Sequence, residues 1–384
     1  MSLYLSFKEI WRNKGRFFLF SLVIALITTL VLFVAGLAEG LGNANRQYLD
    51  KIGTELLIFQ ENTELSTLSS RLGFNKLNAI RRIPGVQAAG PIGFATAKLL
   101  TDAGNSDLDV SIIGVESNQP GSPPVLEGAA LSSNRGNNVV IDRKVASQAA
   151  VSVGNMIRLR TIQGTEEKLF NLRVIGITDP RENQYAPSIF VPYQTWFDIR
   201  PQGDSSTGKQ DITSNVIAVK LSNPQEQTSI SKLITERISG IEVASIEAAI
   251  RALPGYSAQQ STLNTQQVFV LLIGILVIGG FFQIQMLQKV PQIGVLKAIG
   301  VANRSVAGAV IAQIILVSSF GVILGVLVTL GLAAGIPNSV PVQFSGSSIA
   351  IAIAALLAIG PLGGLVSVRQ AVHVEPLIAL GLSQ

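Results

Sequence analysis

Three stretches of this 384-residue chain contain no Asp, Glu, Lys or Arg: residues 17–38, 252–288 and 305–368, which are 22, 37 and 64 residues long. A helix of about 20 apolar residues spans the roughly 30 Å hydrocarbon core of a bilayer, so uncharged runs of this length predict membrane-spanning helices. Only 14% of the residues are charged, against about a quarter in an ordinary soluble domain. The composition therefore argues against a soluble enzyme.

The longest run has to be divided. Gly335, Pro337, Asn338, Pro341 and Gly346 to Ser348 form a segment dense in turn formers, and each half on either side is long enough to cross. Four spans follow: 17–38, 267–287, 306–331 and 349–368. Residues 1–16, 288–305 and 369–384 lie on one side of the membrane. Residues 39–265 and the uncharged loop 332–348 lie on the other.

The distribution of charge gives the sides. Eight basic and two acidic residues lie in 1–16, 289–304 and the tail, whereas 21 basic and 22 acidic residues lie between Glu39 and Arg251. The net charge of +5 thus comes from short segments flanking the spans. Basic flanks mark the cytoplasmic side. Both termini and 288–305 are expected in the cytoplasm of a multi-pass inner (plasma) membrane protein, and no nucleic-acid partner is implied. Within 1–16, Leu3, Phe7, Ile10 and Trp11 recur at helical spacing among basic residues, which suggests a short amphipathic helix at the inner interface. Gly36-Leu37-Ala38 offers a small-x-small cleavage pattern, but a 22-residue apolar run exceeds the 7–15 of a signal peptide, so the first helix is expected to stay.

The residues needed for catalysis are scarce. There is no cysteine and one histidine, His373, so thiolate chemistry, a zinc–thiolate site and a histidine cluster are excluded. Glu166, Glu167, Asp107 and Asp109 are read as solvated charges. Gly203, Gly208, Lys209 and Gln210 approach a phosphate loop, but Gln210 stands where Ser or Thr would hold magnesium, and Arg200-Pro201-Gln202 precedes it instead of a strand. A loop without nucleotide is expected there. No catalytic residue and no metal site are assigned.

The spans hold no ionisable group; Thr28, Thr29, Gln283, Gln285, Gln313, Ser318 and Ser319 are among their polar residues. That argues against a proton-driven pump and for hydrogen bonds between helices. Gly321 with Gly325, and Gly331 with Gly335, have the spacing for close helix packing, within the chain or against a second subunit. Residues 39–265 read as mixed α and β. Strands are expected at 110–115, 138–141, 156–161, 172–177, 188–191 and 216–221, and helices at 77–83, 224–238 and 246–253. The clustering suggests a β-rich subdomain inserted into an α/β one.

In the 288–305 loop, Pro291 and Gly300 bracket a short helix whose apolar face is Ile293, Leu296 and Ile299. An apolar face on a cytoplasmic loop implies a partner. The stretch Gln292-Ile293-Gly294-Val295-Leu296-Lys297-Ala298-Ile299-Gly300 resembles the E-I-G-x-L-[KR]-A-x-G segment of FtsX-like, MacB-type ABC transporter permeases. The tail from Arg369 through Pro376, Leu377, Ala379 and Leu380 resembles that family's closing motif, and Trp11 to Arg16 its N-terminal basic segment. Val139 to Asp142, Ala146, Val153 to Asn155 and Val174 to Ile177 resemble its periplasmic core. DevC-like permeases of cyanobacterial glycolipid exporters are similar in appearance.

The resemblance implies a membrane protein with four transmembrane α-helices and a large mixed α/β, MacB-like extracytoplasmic domain between helices 1 and 2. It implies that Gln292, Ile293, Gly294, Leu296, Lys297, Ala298, Ile299 and Gly300, with Pro376 and Leu377, couple to a cytoplasmic ABC ATPase subunit. Because no Walker motif is present, ATP and Mg belong to that separate subunit, and this chain is no enzyme and carries no cofactor. Gln292 stands where the family usually has Glu. A second permease subunit forming a homodimer, a periplasmic adaptor of the membrane-fusion type and a TolC-like outer-membrane channel are the further partners implied. The function implied is export of a lipid-like or hydrophobic substrate. Relatives of two other kinds regulate a cell-wall hydrolase or sensor kinase, or extract lipoproteins.

Overall fold

The computed structural model describes residues 14–101, 107–202, 212–335, 340, 342–344 and 346–373. Residues 1–13 of the expected amphipathic segment 1–16, the Gly203–Gln210 motif, residues 336–339, 341 and 345 of the 332–348 loop, and Pro376 and Leu377 lie outside them. The chain divides into two compact units, one of Gly42–Gln259 and one formed by the residues before and after it.

The helical unit takes its residues from four helices: α1 (Lys14–Asp50), α7 (Tyr256–Ala298), α8 (Asn303–Gly335) and α9 (Gly346–His373). Each is long and apolar enough to cross a membrane. In hydrocarbon every backbone N–H and C=O must be satisfied internally, which a helix does. Phe17, Phe20, Ile24, Val31, Ile278, Phe282, Ile314, Val317, Leu356 and Ile359 form the buried core. Leu19, Leu26, Leu276, Leu327 and Ile351 face outward. Helices apolar on all sides suit a lipid surround.

All four helices exceed the spans that predict them, α1 and α7 by the most. α1 continues to Asp50, and α7 begins at Tyr256 and ends at Ala298. Beyond Ala38, α1 becomes amphipathic, burying Ala44, Asn45, Tyr48 and Leu49. Nothing in the sequence stops it at the membrane boundary. The short helix expected from Pro291 is the end of α7, with Pro291 inside it. Proline removes one donor but does not stop a long membrane helix whose other bonds persist.

The second unit is built on a sheet. Its strands are β1 (Leu56–Gln60), β3 (Val86–Leu100), β4 (Leu108–Val115), β5 (Glu127–Gly128), β6 (Asn138–Asp142), β7 (Met156–Gln163), β8 (Glu166–Thr178), β9 (Ser188–Pro192), β11 (Val216–Leu221) and β12 (Ile241–Ser245); β2 (Leu72–Gly73) pairs separately with β10 (Thr213–Ser214). The order is β12-β1-β11-β3-β4-β9-β6-β8-β5, with β7 bridging β3 and β8. β4 with β9 and β6 with β8 are parallel. The helices are α2 (Phe74–Ile80), α3 (Arg143–Gln148), α4 (Tyr193–Ile199), α5 (Gln227–Arg237) and α6 (Ile246–Arg251).

The expected division into a β-rich insertion and an α/β part is corrected by β3. Its first half pairs with β11 and its second with β4 and β7, so among the described residues one ladder runs through both regions. Three cores lie along it. α2 and α5 cover Leu56, Ile58, Ala89, Ile217 and Val219, Ile112, Val139, Val174, Ile189 and Trp196 form a second, and Tyr48, Leu49, Phe59, Phe94, Ile113 and Phe190 form a third. Trp196, fully buried, lies flat on Gly93 and Gly114, which face each other across β3 and β4. A Cβ would come within 2.3 Å of the indole at Gly93 and 2.4 Å at Gly114, so only glycines leave room for it.

Candidate functional site

The segment singled out by sequence closes α7. Gly300 has φ +95°. The Val301 amide donates to Leu296 O at 3.0 Å and the Gly300 amide to Lys297 O at 3.0 Å. This pair of bonds caps a helix C-terminus through a left-handed residue, which glycine adopts at least cost. Gly300→Ala should lower the stability of the full chain by about 1–2 kcal/mol, read from thermal unfolding in detergent.

The last turns of α7 have two apolar faces. Ile293 is 6% exposed and packs with Met286 and Val306; Gly294 is buried beside it. Leu296, Val295 and Ile299 are 41%, 47% and 74% exposed, on the same side as exposed Gln292. The expected face of Ile293, Leu296 and Ile299 is therefore corrected: Ile293 already holds α7 to α8, and Val295 takes its place on the outward side. Spacing in a short segment cannot separate the two, because 293 and 296 are neighbours on any helix. Lys297 Nζ donates to Val372 O at 2.5 Å and Lys289 Nζ to Gln313 Oε1 at 2.9 Å, tying the end of α7 to α9 and α8.

Gly321 and Gly325 lie against α1. A Cβ on Gly325 would fall 2.5 Å from Thr28 Cβ and 2.7 Å from Ala25 O; on Gly321, 2.6 Å from Ile24 Cβ. Thr29 Oγ1 donates to Gly325 O at 3.3 Å. A Cβ on Gly331 or Gly335 would meet no heavy atom within 4 Å beyond its own helix backbone. A second seam was not anticipated. Gly363 meets Gly279, Gly360 meets Ser318 and Gly364 meets Ile314. The four-residue spacing of Gly360 and Gly364 was a signal for it.

Among the described residues no group of three or more His, Cys, Asp or Glu could hold a metal. Around the 203–210 motif, α4 precedes and β10 follows, the reverse of a phosphate loop. Among the described residues, the carboxylate moved furthest from its ordinary range is Asp142, which is fully buried. It caps α3 by accepting from Val145 N at 2.8 Å and also accepts from Ser188 N at 2.8 Å. Burial pushes its pKa up to about 6 despite these bonds, and Glu182 nearby adds to the rise. Lys144 Nζ sits 2.7 Å from Glu182 Oε2. A raised acid pKa means that the folded state prefers the proton. The stability Asp142 contributes is full below the unfolded value near 4 and is lost as pH rises through 6. Two pKa units correspond to at most about 3 kcal/mol. Thermal unfolding of the full chain should show a stability component falling between pH 4 and 6, absent in Asp142→Asn. Asp179 works in the opposite sense. Burial raises its pKa, but Lys51 and Arg181 outweigh that and hold it below the usual range.

A MacB-like periplasmic core domain model matches residues 17–237, and an FtsX-like permease C-terminal model matches residues 267–376. The chain is similar to a Staphylococcus haemolyticus protein described as a hemin transport system permease protein, HrtB, with 29% identity over 98% of this chain and 99% of that one. It is 23% identical, over 97% of each chain, to an uncharacterised ABC transporter permease of Mycobacterium tuberculosis. The periplasmic region of MacB from Actinobacillus actinomycetemcomitans is similar at 17% identity, covering 52% of this chain and 92% of that one, with a TM-score of 0.36. Four apolar helices, a mixed α/β domain between the first and second, and full-length similarity to ABC permeases place the chain in the family of FtsX-like, MacB-type ABC transporter permeases.

Proposed function

We propose that this chain is the membrane subunit of an ATP-driven exporter whose ATPase is a separate cytoplasmic subunit. The observation that carries the reading is the outward apolar face of Val295, Leu296 and Ile299 at the end of a membrane helix, where burial on a partner gains free energy. Gln292 is exposed beside that face, and Pro376 and Leu377 are assigned to the ATPase contact by the family resemblance alone. ATP and Mg stay with the ATPase. The basic flanks put both termini in the cytoplasm and residues 39–265 outside. Two permease subunits and two ATPases make the working unit, and nucleotide-driven motion reaches the extracytoplasmic domains through α1 and α7.

A periplasmic adaptor and a TolC-like outer-membrane channel complete the route. Spans without an ionised group suit a hydrophobic cargo. The naming of relatives as hemin permeases makes hemin the first candidate, ahead of the glycolipid suggested by the DevC-like appearance. The chain should be co-purified with its ATPase, reconstituted, and assayed for ATP hydrolysis with hemin or glycolipid. The reading expects hydrolysis by the complex, none by the chain alone, and stimulation by one cargo. Failure of any ABC ATPase to co-purify would refute it.

A further inference from the structure

The loop of residues 179–188 grips the C-terminal turns of α1 by its backbone. The Tyr48 amide, inside the helix, donates sideways to Glu182 O at 2.9 Å, while Ala44 O accepts from Tyr185 N at 2.8 Å and Asn45 O from Gln184 N at 3.3 Å. A group inserted into a helix ladder is a known cause of a kink. Side chains extend the grip. Arg181 Nη1 donates to Lys51 O at 2.6 Å, Lys51 Nζ to Asp179 Oδ2 at 2.7 Å, and the Glu182 amide to Gln47 Oε1 at 3.1 Å.

The loop pays a conformational cost for this reach. Asn183 and Ala186 exchange backbone hydrogen bonds at 3.0 and 3.1 Å, and the two residues between them, Gln184 and Tyr185, have φ 50° and 66°. Consecutive left-handed residues suit glycine or asparagine and strain other side chains. On its other side the loop is pinned by Asp142 Oδ2, which accepts from Ser188 N and, at 3.4 Å, from Arg181 N. Left-handed residues held in place by polar bonds are a form of local strain that occurs at switch regions.

We propose that the 179–188 loop is a releasable latch on α1, whose opening unties the backbone of helix turns 44–51 from the loop as one step while Tyr48 and Leu49 stay in the core. The proposal stands on this geometry and not on any transport activity. Hydrogen exchange of the full chain in lipid nanodiscs tests it, read in peptides covering 44–51, 179–188 and, as reference, β4. Both latch segments should exchange together, about tenfold or more faster than β4. Gln184→Gly, which relieves one left-handed residue, should slow both together. Arg181→Met, which removes the bond to Lys51 O, should speed both while β4 is unchanged. If Arg181→Met exposes β4 as well, the Gln184→Gly result decides. Exchange of the two segments at unrelated rates, or at the rate of β4, or without response to Gln184→Gly, would overturn the latch.

Discussion

Leucine in place of Gly325 should destabilise the chain by about 3 kcal/mol or more, whereas leucine in place of Gly331 should cost almost nothing. Both positions lie on α8 and both belong to a G-x3-G pair, so propensity and spacing predict equal effects. The structure separates them. A Cβ at Gly325 collides with Thr28 and Ala25, and one at Gly331 meets nothing within 4 Å. To admit leucine, α1 and α8 must move apart, losing the packing of Ile24 with Val317 and Val322 as well as the Thr29 bond. Gly321→Leu should behave like Gly325→Leu. Thermal unfolding of the purified full chain in detergent measures the difference. Equal melting of the Gly325 and Gly331 variants would show that the α1–α8 seam is not built this way.

Leu296→Asp together with Ile299→Asp should release the ATPase while leaving the chain folded in the membrane. Each covered side chain contributes about 1.5–3 kcal/mol, so the pair is worth roughly a hundred- to ten-thousand-fold in affinity. Ile293→Asp should act differently. Its side chain is enclosed by Met286 and Val306, so a charge there should loosen α7 from α8 and lower stability before it affects docking. A pull-down and a melting curve on each variant distinguish the two. Loss of the ATPase with Ile293→Asp alone at unchanged stability would restore the face expected from sequence. Gln292→Glu, which supplies the family's usual residue, should be tolerated.

The helical unit was legible because the bilayer imposes one rule on every spanning segment, uncharged and apolar for about 20 residues. That rule says nothing of where a helix stops in water. The continuation of α1 to Asp50 and of α7 through Pro291 therefore went unread. In the sheet unit, β4 and β11 were visible as runs of branched residues. β3 was not, because Gly90, Pro91 and Gly93 look like a turn. Their reason is tertiary: Gly93 makes room for Trp196. The Gly300 cap needed only local chemistry and was legible. The burial of Ile293 depends on Met286 and Val306, and the role of Asp142 on Ser188 and Arg181. No pattern within one segment carries such pairings.

The account depends most on which side of the membrane the 288–305 segment lies, since the ATP-bearing partner is cytoplasmic. The chain has no native cysteine, so Gln225→Cys and Ala302→Cys can each be introduced alone and labelled with a membrane-impermeant maleimide. Cys at 225 should label in intact spheroplasts, and Cys at 302 only after the membrane is opened. Labelling of position 302 in sealed spheroplasts would contradict the account.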